Sequence, residues 1–230
     1  MRGRRRPVSM ADITEAPAPG EPGPGRHRFG RLSRLLPILV AFALVMGALI
    51  AYTLYFGSDD PARFRLAVVP YRPQATDFHL KGSDGAEHSL ADFRGRAVVL
   101  FFGFTRCPDA CPGELYKLSQ VVRGLGADRG RVQVLMITLD PARDTVPLLH
   151  QYVSTFDPAF IGLTGTEDAV ARAAAGYDVV QRRIPLDNGD YTFEHSAAIY
   201  VIDPKGRQRL RGNLATGADD LVHDLKQLLG

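Results

Sequence analysis

Cys107 and Cys111 are the only cysteines in the 230-residue chain, and three residues separate them. A disulfide across so short a loop adds little stability, because the gain from cross-linking grows with loop length. A domain of this size does not need such a staple. The pair therefore points to redox or metal chemistry. Both cysteines lie in FFGFTRCPDACP (residues 101–112), between an apolar strand-like run and a helical pattern. Pro112 suits a first helical position, which would put Cys111 at a helix N-terminus. Aligned peptide dipoles there favour a thiolate and lower a cysteine pKa. A spacing of four brings the two sulfurs to one side if the loop winds as a helical turn. Two thiolates in an apolar-walled loop suit a soft ion such as Cu(I).

Two sulfurs alone make a weak site, so a third donor is expected among the six histidines. His27 lies in a separate N-terminal arm. His79, His88, His150 and His223 stand in polar or helical contexts that ask for no more than a surface histidine. His195 closes a loop in Phe193-Glu194-His195-Ser196, directly before an apolar strand expected to pack beside the one leading to Cys107. A lone histidine before a strand is by itself a structural residue as readily as a ligand. Its expected place at the cysteine end of the sheet makes it the best third donor.

The elements that must position these residues follow from composition and pattern. The chain is 45% hydrophobic and 23% charged, which is ordinary for a globular body. Its formal charge of +3 hides an asymmetry: residues 1–34 hold eight arginines against Asp12, Glu15 and Glu21, and the remainder is slightly acidic. The basic residues are not gathered on the body, which argues against a nucleic-acid partner. Residues 1–34 are rich in Pro, Gly and Arg and read as a disordered arm. Leu35–Phe56 runs 22 residues without a charge. That is enough for one transmembrane helix, since ~20 apolar residues cross a bilayer core. The run exceeds a signal-peptide core and lacks a clean cleavage site, so an uncleaved anchor is expected. Arginines precede the span, and Ser58, Asp59 and Asp60 follow it. The positive-inside rule then puts the arm in the cytoplasm and the body in the periplasm or outside. In a mitochondrion the same anchor would lie in the inner membrane.

After a linker over 57–72, residues 73–230 alternate between strand and helix signals. A short hairpin is expected around Ser83-Asp84-Gly85. Residues 97–104 read as a central strand covered on both faces. A helix follows, with Leu115, Leu118, Val121, Val122 and Leu125 on one side. Strands over 131–140 and 160–163 and helices over 145–155 and 167–175 come next. Hairpins then turn at Asp187-Asn188-Gly189 and Pro204-Lys205-Gly206 before a helix over 219–229. Strands separated by helices describe an α/β sandwich.

Three stretches carry a family resemblance: FGFTRCPDACPGEL, TLDPARDT (residues 138–145) and EHSAAIYVIDPKG (residues 194–206). In this order, behind one N-terminal anchor, they resemble the Sco/SenC copper chaperones over about residues 73–230. The resemblance implies a thioredoxin-like fold, with a central mixed sheet flanked by helices and an N-terminal hairpin extension. It implies copper, as Cu(I) or Cu(II), held by Cys107, Cys111 and His195. It also implies delivery to the CuA site of cytochrome c oxidase subunit II, with another copper carrier or a thiol reductant as a further partner. Asp140 and Asp144 match the family's acidic loop without an assigned role. A turn with Asp144 capping the next helix is the plain reading of them.

Three other functions compete. A thiol–disulfide oxidoreductase could use Cys107 and Cys111 as its redox pair on an oxidase subunit or another exported protein. Yet the common redox motif is C-x-x-C, and the chain holds no Trp to precede it. A peroxidase would need an arginine beside Cys107, for which Arg106 or Arg143 is available. A copper sensor or store would share the same ligands.

Overall fold

A computed structural model of the chain describes residues 32–56, 61–70 and 74–230. The expected arginine-rich arm lies outside the described residues up to position 31, as do residues 57–60 and 71–73 at the expected linker. The chain divides into two units, residues 1–58 and 59–230.

In the first unit, α1 (Leu32–Phe56) is a single helix of 25 residues. At 1.5 Å per residue it is ~37 Å long, enough for a bilayer core of ~30 Å. Among the described residues it is the one helix long and apolar enough to cross a membrane, with a mean hydropathy of 2.5 over Leu35–Tyr52. Its apolar side chains, including Leu36, Ile38, Phe42 and Leu44, are exposed rather than packed in a core.

The second unit is built on an eight-stranded mixed sheet. Its strands in chain order are β1 (Ala67–Val68), β2 (His79–Gly82), β3 (Glu87–Ser89), β4 (Ala97–Gly103), β5 (Val132–Thr138) and β6 (Ile161–Thr164), followed by β9 (Ala198–Ile202) and β10 (Gln208–Asn213). Across the sheet they run β1-β10-β9-β4-β5-β6-β2-β3. β4, β5 and β6 are parallel, whereas β9 runs antiparallel to β4 with Phe101 opposite Ile199. β7 (Gln181–Pro185) and β8 (Tyr191–His195) form a separate two-stranded hairpin.

All seven residues of β4 are buried, and they alternate between two cores as a strand's period of two requires. Ala97, Val99 and Phe101 face Leu115, Leu118 and Val121 of α2 (Ala110–Gly124) and Leu221 and Leu225 of α5 (Ala218–Leu229). Val98, Leu100 and Phe102 face Val170, Ala173 and Ala174 of α4 (Glu167–Gly176). α3 (Val146–Ser154) adds Val153 to the first core. The sheet thus lies between helices as in a thioredoxin-like sandwich, and the β2–β3 hairpin extends its far edge.

The sheet reaches further toward the N-terminus than the expected boundary at residue 73. Within the stretch expected as linker, Ala67 pairs with Arg211 and Val68 with Leu210 on β10. The physical reason is Asp224, a fully buried carboxylate in α5. It accepts the backbone N–H groups of Arg65 at 3.0 Å and Leu66 at 2.8 Å. Replacing Asp224 with Ala leaves two backbone donors without partners at a buried position. The expected loss is about 2 kcal/mol in urea unfolding, with faster amide exchange at Arg65 and Leu66. Wild-type stability would show that the segment is held by packing alone.

Candidate metal centre

β4 ends at Gly103, and the next eight residues carry both cysteines to the start of α2. Close packing fixes the turn-off point: a Cβ on Gly103 would lie 2.8 Å from the Cys111 sulfur. Helix α2 starts at Ala110 with Asp109 as its N-cap residue, so Cys111 and Pro112 both lie in the first turn. The Cys111 N–H points at the Cys107 sulfur at 3.4 Å. The expected convergence of the two sulfurs at a helix N-terminus is therefore present. Both cysteines are free thiols; Cys107 is half-buried and Cys111 buried.

Their environments drive the two thiols apart. The Cys111 thiol donates to the Cys107 sulfur, and the N–H groups of Cys111, Asp109 and Ala110 add to it. Together they outweigh burial and hold the Cys107 pKa at about 5. The same contact with Cys107, together with burial, pushes Cys111 well above the ordinary thiol range. At neutral pH the pair is one thiolate and one thiol.

The acidic loop behaves differently from a simple capped turn. Thr145, not Asp144, is the N-cap residue of α3. Asp144 is fully buried and accepts from Thr105 N at 3.0 Å, Thr105 Oγ1 at 2.5 Å and Thr138 Oγ1 at 2.5 Å. It thereby ties the cysteine loop to the end of β5. Asp140 accepts from Tyr191 Oη at 2.9 Å and from Arg143 Nε. Arg143 also donates to Asp190 Oδ1 at 2.7 Å and to Tyr191 O at 3.0 Å. Asp190 receives Arg106 Nη1 on its other oxygen at 3.2 Å. Both arginines offered for a peroxidase, Arg143 and Arg106, are engaged with Asp190.

His195 is the last residue of β8. Its ring meets the Phe104 ring edge-on at 6.1 Å, and Phe104 also packs on Phe193 at 5.6 Å. His195 Nδ1 lies 3.1 Å from Ser196 O. A carbonyl can only accept, so this contact places a hydrogen on Nδ1 and leaves Nε2 as the nitrogen for a metal. A metal-binding imidazole is oriented in this way, with its other nitrogen donating to a carbonyl. His195 and Cys111 line one cleft together with Phe101, Ile199 and Leu214. Among the described residues, no three His, Cys, Asp or Glu side chains are drawn close enough to make a complete cage. The two cysteines are adjacent, and the histidine shares a cleft with Cys111.

Sequence reasoning missed two kinds of residue here. Glu114, one helical turn after Cys111, lines the same cleft at 5% exposure. Burial raises its pKa against the pull of Lys117, whose Nζ lies 3.0 Å away. Its i+3 spacing from Cys111 was the available signal. Tyr191 and Asp190 had no local signal for their link to the acidic loop, because Arg143 and Asp140 lie 47 and 51 residues from Asp190 and Tyr191.

A family profile described as SCO1/SenC matches residues 71–230. The human mitochondrial "Protein SCO2 homolog" is 48% identical over 133 residues, covering 56% of this chain and 50% of that protein. The chain spans about half the length of the human and bovine relatives it matches. Among solved structures, ScoI of Bradyrhizobium japonicum with copper bound is 35% identical at a TM-score of 0.63, covering 67% of this chain and 99% of that one. Yeast Sco1 with copper bound is 36% identical at a TM-score of 0.58, covering 67% of this chain and 89% of that one.

The asymmetry of the thiols is open to direct measurement. Alkylation of the reduced protein by iodoacetamide should modify Cys107 and spare Cys111. Its rate should be flat above neutrality and fall with a midpoint at about pH 5. In Cys111→Ala the midpoint should rise, because the thiol donor is gone. A wild-type midpoint near 9 would contradict the activated thiolate.

Proposed function

The chain belongs to the SCO1/SenC family, and on that premise we propose that it is a membrane-anchored copper chaperone for cytochrome c oxidase. Copper is the cargo, and Cys107, Cys111 and His195 are its ligands. The recipient is the CuA site of oxidase subunit II. α1 is the anchor, with the arginine-rich arm in the cytoplasm and the body on the far side of the membrane. The positive flank of the span supports that orientation, as does the need of a subunit II partner for a chaperone outside the cytoplasm.

One observation carries the reading. A thiolate and a thiol pair at a helix N-terminus, and the inner sulfur, Cys111, lines a cleft with an imidazole whose Nδ1 rests on the Ser196 carbonyl. Two sulfurs and one nitrogen match a soft or borderline ion, and neither carboxylate of the acidic loop is free to compete. Asp144 is saturated by Thr105 and Thr138, and Asp140 by Arg143 and Tyr191. The acidic loop is read as scaffold.

Each group has a distinct part. Cys107, already a thiolate and half-exposed, captures the ion. Cys111 gives up its proton as the second sulfur binds. His195 closes from the hairpin, and its movement away opens a side for the recipient's ligands. A disulfide between the cysteines has no thiolate to offer, so only the reduced pair carries cargo.

The test is a competition titration of the reduced full chain in detergent against a Cu(I) chelator. The wild type should bind one ion. Cys107→Ser and Cys111→Ser should lose tight binding, and His195→Ala should weaken it roughly tenfold or more. Full binding by His195→Ala would remove it from the ligand set, and no binding by the wild type would favour a thiol reductase. A strain lacking the chain should be deficient in oxidase and rescued by added copper. Normal oxidase there would mean sensing or storage instead.

A further inference from the structure

The β7–β8 hairpin shares no ladder with the main sheet. Its position relative to the cysteine loop therefore rests on side chains, together with the Val180–Ser196 contact at its base. Beside the exposed Arg106–Asp190 pair, two groups of side chains do this. Phe193 packs against Phe104 of the cysteine loop. The other group centres on Arg143, whose side chain is 13% exposed. Its guanidinium lies 3.6 Å from the centre of the Tyr191 ring, donates to Tyr191 O and Asp190, and holds Asp140. Asp140 in turn receives the Tyr191 hydroxyl. Asp190 immediately precedes the returning strand β8, Tyr191 opens it, and His195 ends it four residues later.

We propose that Arg143 is a positioning residue for His195: it fixes the root of β8 and so sets where the imidazole stands relative to the cysteines. This inference rests on His195 being the third ligand. The planar fork explains the choice of residue. Arg143 reaches Asp140 through Nε and Asp190 through Nη1 while stacking on Tyr191, and a lysine has neither the second donor in the plane nor the face to stack. Without the guanidinium, the carboxylates of Asp140 and Asp190 lose the charge between them. The Tyr191 hydroxyl on Asp140 is then left as the hydrogen bond from the root of β8 to the acidic loop. The sulfur pair does not depend on this contact, because Asp144 and the first turn of α2 hold it. Loss of Arg143 should thus remove the nitrogen donor and spare the sulfurs.

The test is a double-mutant cycle on the reduced full chain in detergent, with Arg143→Gln, His195→Ala and the double variant. Cu(I) affinity is read by chelator competition, and the Cu(II) adduct by its EPR and sulfur-to-copper absorption. Arg143→Gln should weaken Cu(I) binding nearly as much as His195→Ala, and the double variant should be no weaker than His195→Ala within about twofold. Nitrogen hyperfine structure should fade in Arg143→Gln while the sulfur-to-copper band persists. Asp190→Asn, an exposed change at the other end of the same contact, should shift affinity and spectrum the same way, and it serves if Arg143→Gln does not fold. Wild-type affinity and spectrum in Arg143→Gln or Asp190→Asn, or losses that multiply in the double variant, would overturn the positioning role alone. Wild-type binding by His195→Ala would overturn the ligand reading and this inference with it.

Discussion

A carboxylate sealed from water must be satisfied by the protein around it, and Asp144 sets that demand at the end of the sheet. Left without donors, such a group would cost several kcal/mol. Here one backbone N–H and two hydroxyls answer it, from Thr105 and Thr138. Thr105 opens the cysteine loop and Thr138 ends β5, so the loop starts from a fixed point relative to the neighbouring strand. Leu139 N bonding to Gly103 O at 2.7 Å continues the β4–β5 ladder to the same place. Cys107 is two residues beyond that clamp. With its start held by Asp144 and its end wound into α2, the loop has little freedom left in which to separate the sulfurs.

The two sides of the site are held by different physics. The sulfur side is built from backbone: a strand end, a helix start and N–H groups aimed at one sulfur. Such geometry changes only if the helix or the ladder opens. The imidazole side stands on a two-stranded hairpin tied down by aromatic edges, by the Arg143 guanidinium between two carboxylates and by the exposed Arg106–Asp190 pair. These contacts break one at a time and at modest cost, which suits the approach and withdrawal proposed for His195.

Much of this was legible in the sequence. The seven apolar residues of β4 could be buried only in a central strand, and Asp187-Asn188-Gly189 marked the β7–β8 turn, where Gly189 has a φ of +81°. The cysteine spacing and Pro112 gave the helix N-terminus. What stayed hidden were contacts between distant segments. Asp144 reads locally as a cap for the next helix, and only the folded chain shows that Thr105, 39 residues earlier, claims it. Arg143 read only as an arginine available to Cys107. Its partners Asp190 and Tyr191 sit 47 and 48 residues away, across a gap no periodicity spans. Ala67 and Val68 read as linker for the same reason, since the carboxylate that draws the preceding residues inward lies in the final helix.

The unequal thiols put an order on any exchange at this site. Cys107 is half-exposed and ionised, whereas Cys111 is buried and holds its proton. A soft ion or a foreign thiol arriving from solvent therefore meets the outer sulfur first, whichever direction the exchange takes. The inner sulfur joins only after its proton leaves, and the charge of a cation bound at Cys107 favours that departure. The hydrogen bond from Cys111 is also lost at that moment, so the stabilised thiolate and the ready donor are the same interaction used once. A pair of equal, exposed thiols would have no such sequence and would oxidise more freely, because either could attack. The buried position of Cys111, enforced by its close approach to Gly103, is thus what separates a site for orderly exchange from two reactive sulfurs on a surface.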